Sequence, residues 1–89
     1  MDARARVAWN MRRLRVARGA SQEAFAVDAG IDRTYMIRIE RRMENPTVTV
    51  LERIAAALGV EIAALFADSG PEGDAPRSLP AGRKRRKPG

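Results

Sequence analysis

The chain has 89 residues, enough for one small domain, and its net charge of +6 and pI near 11.2 favour an anionic partner, either nucleic acid or a membrane surface. It has no cysteine and no histidine, which excludes disulfides, thiolate catalysis, Cys/His zinc sites and histidine-based triads. No apolar run reaches the length of about 18 residues that a membrane-spanning helix needs, and charges throughout the N-terminal segment argue against a signal peptide. We therefore expect a soluble, cytoplasmic protein without cofactor or metal.

Residues 2–18 are predicted to form the first helix, which ends at Gly19. An apolar stripe at helical spacing is expected to face the core and comprises Val7, Met11, Leu14 and Ala17. Trp9 lies off this stripe, either as part of a partner surface or as a residue at the edge of the stripe. The arginines on the rest of this helix contact either solvent or phosphate groups.

Residues 21–40 are predicted to form two short helices joined by a tight turn. Ser21 and Asp32 are expected to cap these helices, because their side-chain oxygens can accept hydrogen bonds from backbone N–H groups of the first turn that have no partner within the helix. Gly30 suits the left-handed backbone conformation that ends the first of these two helices. Apolar residues at a spacing of three to four are expected to point inward, namely Phe25, Ala26, Ala29, Met36 and Ile39.

The second of these helices, residues 32–41, carries a mixed basic and aliphatic face opposite its apolar side. With about 3.6 residues per turn, the side chains that share this face are Arg33, Thr34, Ile37 and Arg38. Arginine donates two parallel hydrogen bonds to guanine, and aliphatic groups contact the thymine methyl. The face is therefore predicted to read base edges in the major groove of double-stranded DNA.

A loop at residues 41–46 precedes a fourth helix that Thr47 is expected to cap and Gly59 to end. The inward side of this helix is predicted to comprise Val48, Leu51, Ile54, Ala55 and Leu58. A short fifth helix is expected to close the core with Val60, Ile62, Leu65 and Phe66. Val50, Ala57 and Ala64 recur every seven residues, which indicates either a dimer surface or ordinary alanine in helix-forming sequence.

The composition changes at Ala67, beyond which proline and glycine are frequent and large apolar residues are nearly absent. We expect a folded domain at residues 1–66 and a disordered basic tail at 67–89, whose six basic and three acidic residues give it a charge of +3. The basic cluster of the tail comprises Arg83, Lys84, Arg85, Arg86 and Lys87. Three interpretations stay open for it: an arm that binds phosphates, an inert solubilising end, or a nuclear-localisation or membrane-surface signal.

The central spacing resembles the helix-turn-helix of the Cro/phage-repressor family, also called the xenobiotic-response-element-like family. The matching residues are Gln22, Ala26, Gly30, Met36 and Ile39, flanked by the segments RLRVARGASQE and RIERRMENPTVTVLERIAAALGV. The resemblance extends from about Val7 to Phe66. It implies an all-α fold, a compact five-helix bundle of the phage-repressor DNA-binding type.

The resemblance also implies roles for residues outside the base-reading face. Gln22, Tyr35, Arg41 and Arg42 are expected to contact DNA phosphates, with packing at the turn as the alternative for Tyr35. Arg15 and Glu40 are expected to form a structural ion pair between the first and third helices. Arg42 stands where family members have glycine, so either it adopts a positive φ at a cost of about 1 kcal/mol or the helix ends differently.

These observations predict a sequence-specific DNA-binding transcriptional regulator that binds an inverted repeat as a homodimer. The alternative is a protein-interaction module, similar to an antitoxin or anti-activator, that binds a regulator or toxin partner through Trp9, Ile37 and Val50. Catalysis is disfavoured, because a site without histidine or cysteine would need paired carboxylates, and none of the eleven acidic residues is expected to lie in an apolar setting.

Overall fold

Helices account for the regular structure of residues 2–68, the part of the chain that the computed structural model describes. The α-helices are α1 (Ala3–Ala17), α2 (Gln22–Ala29), α3 (Arg33–Glu40) and α4 (Val48–Leu58), and a 3-10 helix follows at Ile62–Phe66. The prediction of an all-α fold is confirmed. The expected count of five helices is not confirmed, because the last of the described elements is a 3-10 helix that follows four α-helices. None of the helices in this range has both the length and the apolar character needed to cross a bilayer.

Each α-helix begins at a side chain that caps it. Asp2, Ser21, Asp32 and Thr47 each accept a hydrogen bond from the backbone N–H three residues later, at 2.8 to 3.2 Å. The three caps predicted from the sequence are therefore confirmed, and Asp2 adds a fourth. These oxygens satisfy donors that have no partner within the helix, which fixes where each helix starts.

The final element is a 3-10 helix for reasons that are local. It has five residues, little more than one α-helical turn, and the side chain of Glu61 before it makes no capping hydrogen bond. The N–H of Ala64 donates to the carbonyl of Glu61 at 2.9 Å, which is the i to i+3 bond of the tighter helix.

Apolar side chains from all five elements meet in one core. Its buried members are Val7, Met11, Phe25, Ala26, Met36, Ile39, Leu51, Ile54, Ala55, Leu58 and Leu65. Ala17, Val48 and Phe66 were predicted to be inward-facing but are exposed, Val48 to 66%. Ala17 ends α1, Val48 begins α4 and Phe66 ends the 3-10 helix. Periodicity identifies the direction that faces the core, but it does not show how far along the axis a neighbouring element reaches.

The chain beyond the 3-10 helix is held by α1. Asn10 is fully buried, and its amide nitrogen donates to the carbonyls of Leu65 at 3.0 Å and Ala67 at 2.8 Å. Its carbonyl oxygen accepts from Arg13 Nη2 at 3.2 Å. Asn10 thereby satisfies both carbonyls with the two N–H bonds of one amide group. Sequence reasoning missed this residue, although its position three residues after Val7 places it beside the buried stripe.

We expect Asn10→Leu to lower the free energy of unfolding by about 2 kcal/mol. The substitution replaces the amide with an apolar group of similar size and leaves the carbonyls of Leu65 and Ala67 without their donor. A buried unsatisfied polar group costs about 1–3 kcal/mol. Urea denaturation measures the change. Arg4→Leu, at an exposed position of the same helix, is the control and should change stability by less than about 0.5 kcal/mol.

Candidate nucleic-acid interface

A left-handed glycine forms the turn between α2 and α3. Gly30 has φ +70°, its N–H donates to the carbonyl of Val27 at 3.1 Å, and the N–H of Ile31 donates to that of Ala26 at 3.0 Å. These two bonds close the turn at the end of α2 and confirm the predicted role of Gly30. Ala26 is 2% exposed and belongs to the core, where a small side chain leaves room for neighbouring helices to approach closely.

The two sides of α3 differ sharply in exposure. Met36 and Ile39 are buried in the core, as predicted, and fix the helix to the domain. Arg33, Thr34 and Arg38 are exposed on the other side. Ile37 is half-buried, and Tyr35 is half-buried and packs against the core. Three of the four residues assigned to base reading thus form an exposed polar face on a rigidly held helix.

A buried ion pair lies behind this face and joins α3 to α1. Arg15 Nε donates to Glu40 Oε2 at 2.8 Å, and Arg15 Nη2 donates to Glu40 Oε1 at 3.0 Å. The side chains are 10% and 4% exposed, respectively. Arg15 Nη1 also donates to the carbonyl of Ala20 at 2.8 Å. This two-bond geometry matches the planar guanidinium to the carboxylate and holds α3 at a fixed position relative to α1.

A polar cleft opens beside this ion pair. Its walls are formed by Arg12, Arg15, Gln22, Glu40 and Arg41. Gln22 and Arg41, which were assigned separately to phosphate binding, therefore lie at one site together with Arg12. The amide nitrogen of Gln22 donates to Glu40 Oε1 at 3.2 Å, which orients this side chain at the start of α2. Sequence reasoning had no means to distinguish Arg12 from the other arginines of α1, because the cleft is formed by residues distant in sequence.

The end of α3 contains the one non-glycine residue with a positive φ in residues 2–68. Arg42 has φ +64°, its N–H donates to the carbonyl of Ile39 at 3.0 Å, and the N–H of Met43 donates to that of Arg38 at 2.8 Å. This is the hydrogen-bond pattern that glycine usually permits at a helix end. Of the two alternatives for Arg42, the structure has the left-handed conformation, and the arginine remains exposed.

We expect Arg42→Gly to raise the free energy of unfolding by about 1 kcal/mol, because glycine adopts a positive φ without the steric cost that a side chain imposes. For a domain of this size, that corresponds to a rise in melting temperature of about 4–8 °C. Thermal denaturation followed by circular dichroism measures the shift. Arg41→Gly removes the same charge at a residue with φ −94°, where glycine brings no such relief, and should lower the melting temperature. Equal shifts in both variants would contradict the assignment of strain to Arg42.

The exposed face also contains an ion pair that the sequence did not reveal. Arg38 Nε donates to Glu44 Oε2 at 2.6 Å, with the two side chains 44% and 30% exposed. The residues are six positions apart, a spacing that does not bring side chains together on a continuous helix. The turn at Arg42 folds the chain back and brings them into contact.

The apolar surface suggested for a protein partner is less exposed than expected. Trp9, Ile37 and Val50 are each half-buried, and Val50 packs against the core. Among the residues that the structure describes, the large apolar side chains that are more than half exposed lie elsewhere, at Val16, Val27, Met43 and Val48. The basic cluster at residues 83–87 lies outside the described part of the chain.

Comparison with known proteins identifies the family. A family model described as helix-turn-helix matches residues 11–65, more than half of the chain. The uncharacterized HTH-type transcriptional regulator y4dJ of Sinorhizobium fredii is 42% identical over 60 residues, which cover 67% of this chain and 78% of that protein. The Neisseria hypothetical transcription factor of Neisseria meningitidis is 49% identical over 59 residues, 66% of this chain but only 56% of that protein.

Solved structures show the same arrangement. The crystal structure of the hypothetical transcription factor NHTF from Neisseria superposes with a TM-score of 0.74 at 42% identity and covers 82% of each chain. The restriction-modification controller protein C.AhdI from Aeromonas hydrophila superposes with a TM-score of 0.69 at 35% identity, covering 71% of this chain and 96% of that one. The chain belongs to the helix-turn-helix family of the Cro and phage-repressor type.

Proposed function

We propose that the chain is a sequence-specific DNA-binding transcriptional regulator that binds an inverted repeat as a homodimer. The observation that carries the proposal is the two-sided character of α3, with Met36 and Ile39 buried and Arg33, Thr34 and Arg38 exposed. A helix anchored in this way presents hydrogen-bond donors on a convex surface that fits the major groove. The descriptions of its relatives as transcription factor, transcriptional regulator and controller protein support this function.

In this proposal, Arg33 and Arg38 donate to guanine, Thr34 reaches a base edge, and the exposed part of Ile37 contacts a thymine methyl group. Each of these contacts is made to a base-edge group, and the pattern of such groups in the major groove differs between base pairs. The side chains protrude from two turns of one helix, so they cover adjacent base pairs within one half-site. Sequence preference therefore depends on this short segment, and the rest of the domain fixes its position.

Phosphate contacts flank the base-reading helix. The cleft of Arg12, Gln22 and Arg41 offers two guanidinium groups and an amide at the N-terminus of α2, where backbone N–H groups also favour an anion. We assign one DNA phosphate to this cleft. Arg42 and the Tyr35 hydroxyl are assigned to neighbouring phosphates. Such contacts fix the register of α3 on the duplex without carrying sequence information themselves.

The dimer is proposed to form through the outer side of α4. Val48, Glu52 and Ala56 are spaced by four residues and are all exposed, so they form one stripe on the surface of this helix. Ala56 also lines a shallow depression with the half-buried Val60 and Ile62. A second copy placed on this surface would cover apolar groups, and a two-fold axis would then relate the two α3 helices. Two-fold symmetry then requires an inverted repeat, and we expect its half-sites to lie about one helical turn apart.

Chemical-shift mapping of the full chain with a DNA duplex tests the location of the interface before any operator is known. At a salt concentration of about 150 mM, where nonspecific phosphate binding is weakened, we expect the largest shifts at the amides of Gln22, Arg33, Thr34 and Arg38. The amides of Val16 and Val27, on other exposed surfaces, should shift least. Shifts concentrated around Trp9 and Val16 would contradict the proposal and would favour a different binding surface.

A further inference from the structure

We propose that Glu44 is a positioning residue for base recognition, which holds the guanidinium of Arg38 ready for guanine and disfavours its contact with phosphates. The inference rests on the proposed function, since it concerns how one of the base-reading arginines is made selective. Its basis is the 2.6 Å hydrogen bond from Arg38 Nε to Glu44 Oε2 on the exposed side of α3.

The geometry leaves the two terminal nitrogens of Arg38 available to bind a base. An arginine has five N–H donors, and the bond to Glu44 uses the one on Nε. The four donors on the two terminal nitrogens are not engaged by this bond, and the side chain remains 44% exposed. Guanine O6 and N7 need two parallel N–H groups. Arg38 can therefore bind guanine and Glu44 at the same time, so the carboxylate acts as a support and not as a competitor.

The position of Glu44 follows from the backbone. The N–H of Met43 donates to the carbonyl of Arg38 itself at 2.8 Å, and Arg42 adopts φ +64° to permit this bond. The chain thus reverses immediately after α3 and returns to the last turn of the helix. Glu44 follows Met43 directly, so its backbone is tied to the residue whose side chain it binds. A support fixed to the same turn moves with the recognition helix when that helix enters the groove.

The charge of Glu44 favours bases over phosphates. A free arginine at a DNA-facing surface is attracted to every phosphate, a contact that is independent of sequence. A carboxylate bound to the guanidinium repels phosphate oxygens and neutralises the local charge, whereas the polar edge of guanine carries no net charge. Pairing also restricts the rotamers of the long arginine side chain before binding, so less conformational entropy is lost when the base is contacted.

A binding experiment on Glu44→Gln tests this inference. The variant retains the shape of the side chain and removes its charge, and exposed ion pairs contribute little to stability, so the melting temperature should change little. An operator is first obtained by selection from a random duplex pool. Dissociation constants are then measured for this operator, for operators with each base pair replaced in turn, and for an unrelated duplex, all at one salt concentration. Asp28→Asn, an equally conservative loss of one negative charge at an exposed position of α2, is the matched control.

We expect Glu44→Gln to reduce discrimination at the base pair read by Arg38 by about fivefold or more, and to bind the unrelated duplex more tightly. Arg38→Ala should remove discrimination at the same base pair, and adding Glu44→Gln to it should cause no further loss there. Asp28→Asn should leave discrimination at every position unchanged. If Glu44 acted only in folding, Glu44→Gln would lower the melting temperature without a specific loss of discrimination at the base pair read by Arg38, and the inference would be wrong.

Two other results would overturn the inference in distinguishable ways. Unchanged discrimination in Glu44→Gln, with a wild-type chain that prefers its operator, would overturn the role of Glu44 and leave the proposed function intact. A wild-type chain with equal affinity for all duplexes would overturn both, because no base reading would then exist for Glu44 to support.

Discussion

Replacing Arg15 with alanine is expected to lower the free energy of unfolding by about 3–5 kcal/mol. The substitution removes both bonds to Glu40, whose side chain is 4% exposed, and leaves the amide of Gln22 as the one side-chain donor to this carboxylate within residues 2–68. It also removes the donor to the carbonyl of Ala20. A buried charge without its counterion costs far more than the loss of an exposed ion pair. Since the free energy of unfolding of a small domain is about 5–15 kcal/mol, this loss is a large part of the total stability.

Urea denaturation of the full chain measures this effect, with Arg12→Ala as the control. Arg12 lies on the same helix and is exposed, so its removal should cost less than about 0.5 kcal/mol. The double substitution Arg15→Met with Glu40→Leu should recover much of the loss, because an apolar pair of similar size leaves no charge unpaired. If Arg15→Ala were as stable as Arg12→Ala, the ion pair would have no structural role.

The second large effect concerns sequence preference. The double substitution Arg33→Ala with Arg38→Ala is expected to remove about 2–6 kcal/mol of discrimination between the operator and other sequences, since each arginine–guanine pair contributes about 1–3 kcal/mol. Both side chains are exposed, so the fold should persist. Fluorescence anisotropy with specific and unrelated duplexes measures the difference, and circular dichroism checks the fold.

A charge-matched control separates base reading from general attraction to DNA. Arg4→Ala with Arg53→Ala removes the same two charges from exposed positions outside α3. It should weaken binding to both duplexes by similar factors and leave their ratio unchanged. A preserved operator preference in the Arg33/Arg38 double variant would show that α3 is not the recognition helix.

Local chemistry made part of this structure predictable. Ser21, Asp32 and Thr47 act through hydrogen bonds to backbone groups three residues away, and Gly30 acts on the backbone at its own position. Such effects are determined by a few neighbouring residues, so the sequence reveals them directly. Met36 and Ile39 were identified for the same reason, because their spacing specifies one side of a short helix.

Contacts between distant segments were less accessible. The Arg15–Glu40 pair joins residues 25 positions apart and was expected only from the resemblance to a known family. Asn10 was missed because a polar residue beside an apolar stripe does not show which carbonyl groups it will meet. The Arg38–Glu44 pair depends on the left-handed turn at Arg42, which the sequence left as one of two alternatives. Each of these sites requires the three-dimensional path of the chain.

Selection of binding sites from a random duplex pool, at a fixed salt concentration of about 150 mM, tests the proposed function most directly. We expect an inverted repeat whose half-sites are about 10–10.5 base pairs apart, with a guanine in each half-site whose selection is lost in the Arg33/Arg38 double variant. Recovery of no motif, with binding that disappears as salt rises, would contradict a sequence-specific dimeric regulator and would show that charge alone holds the DNA.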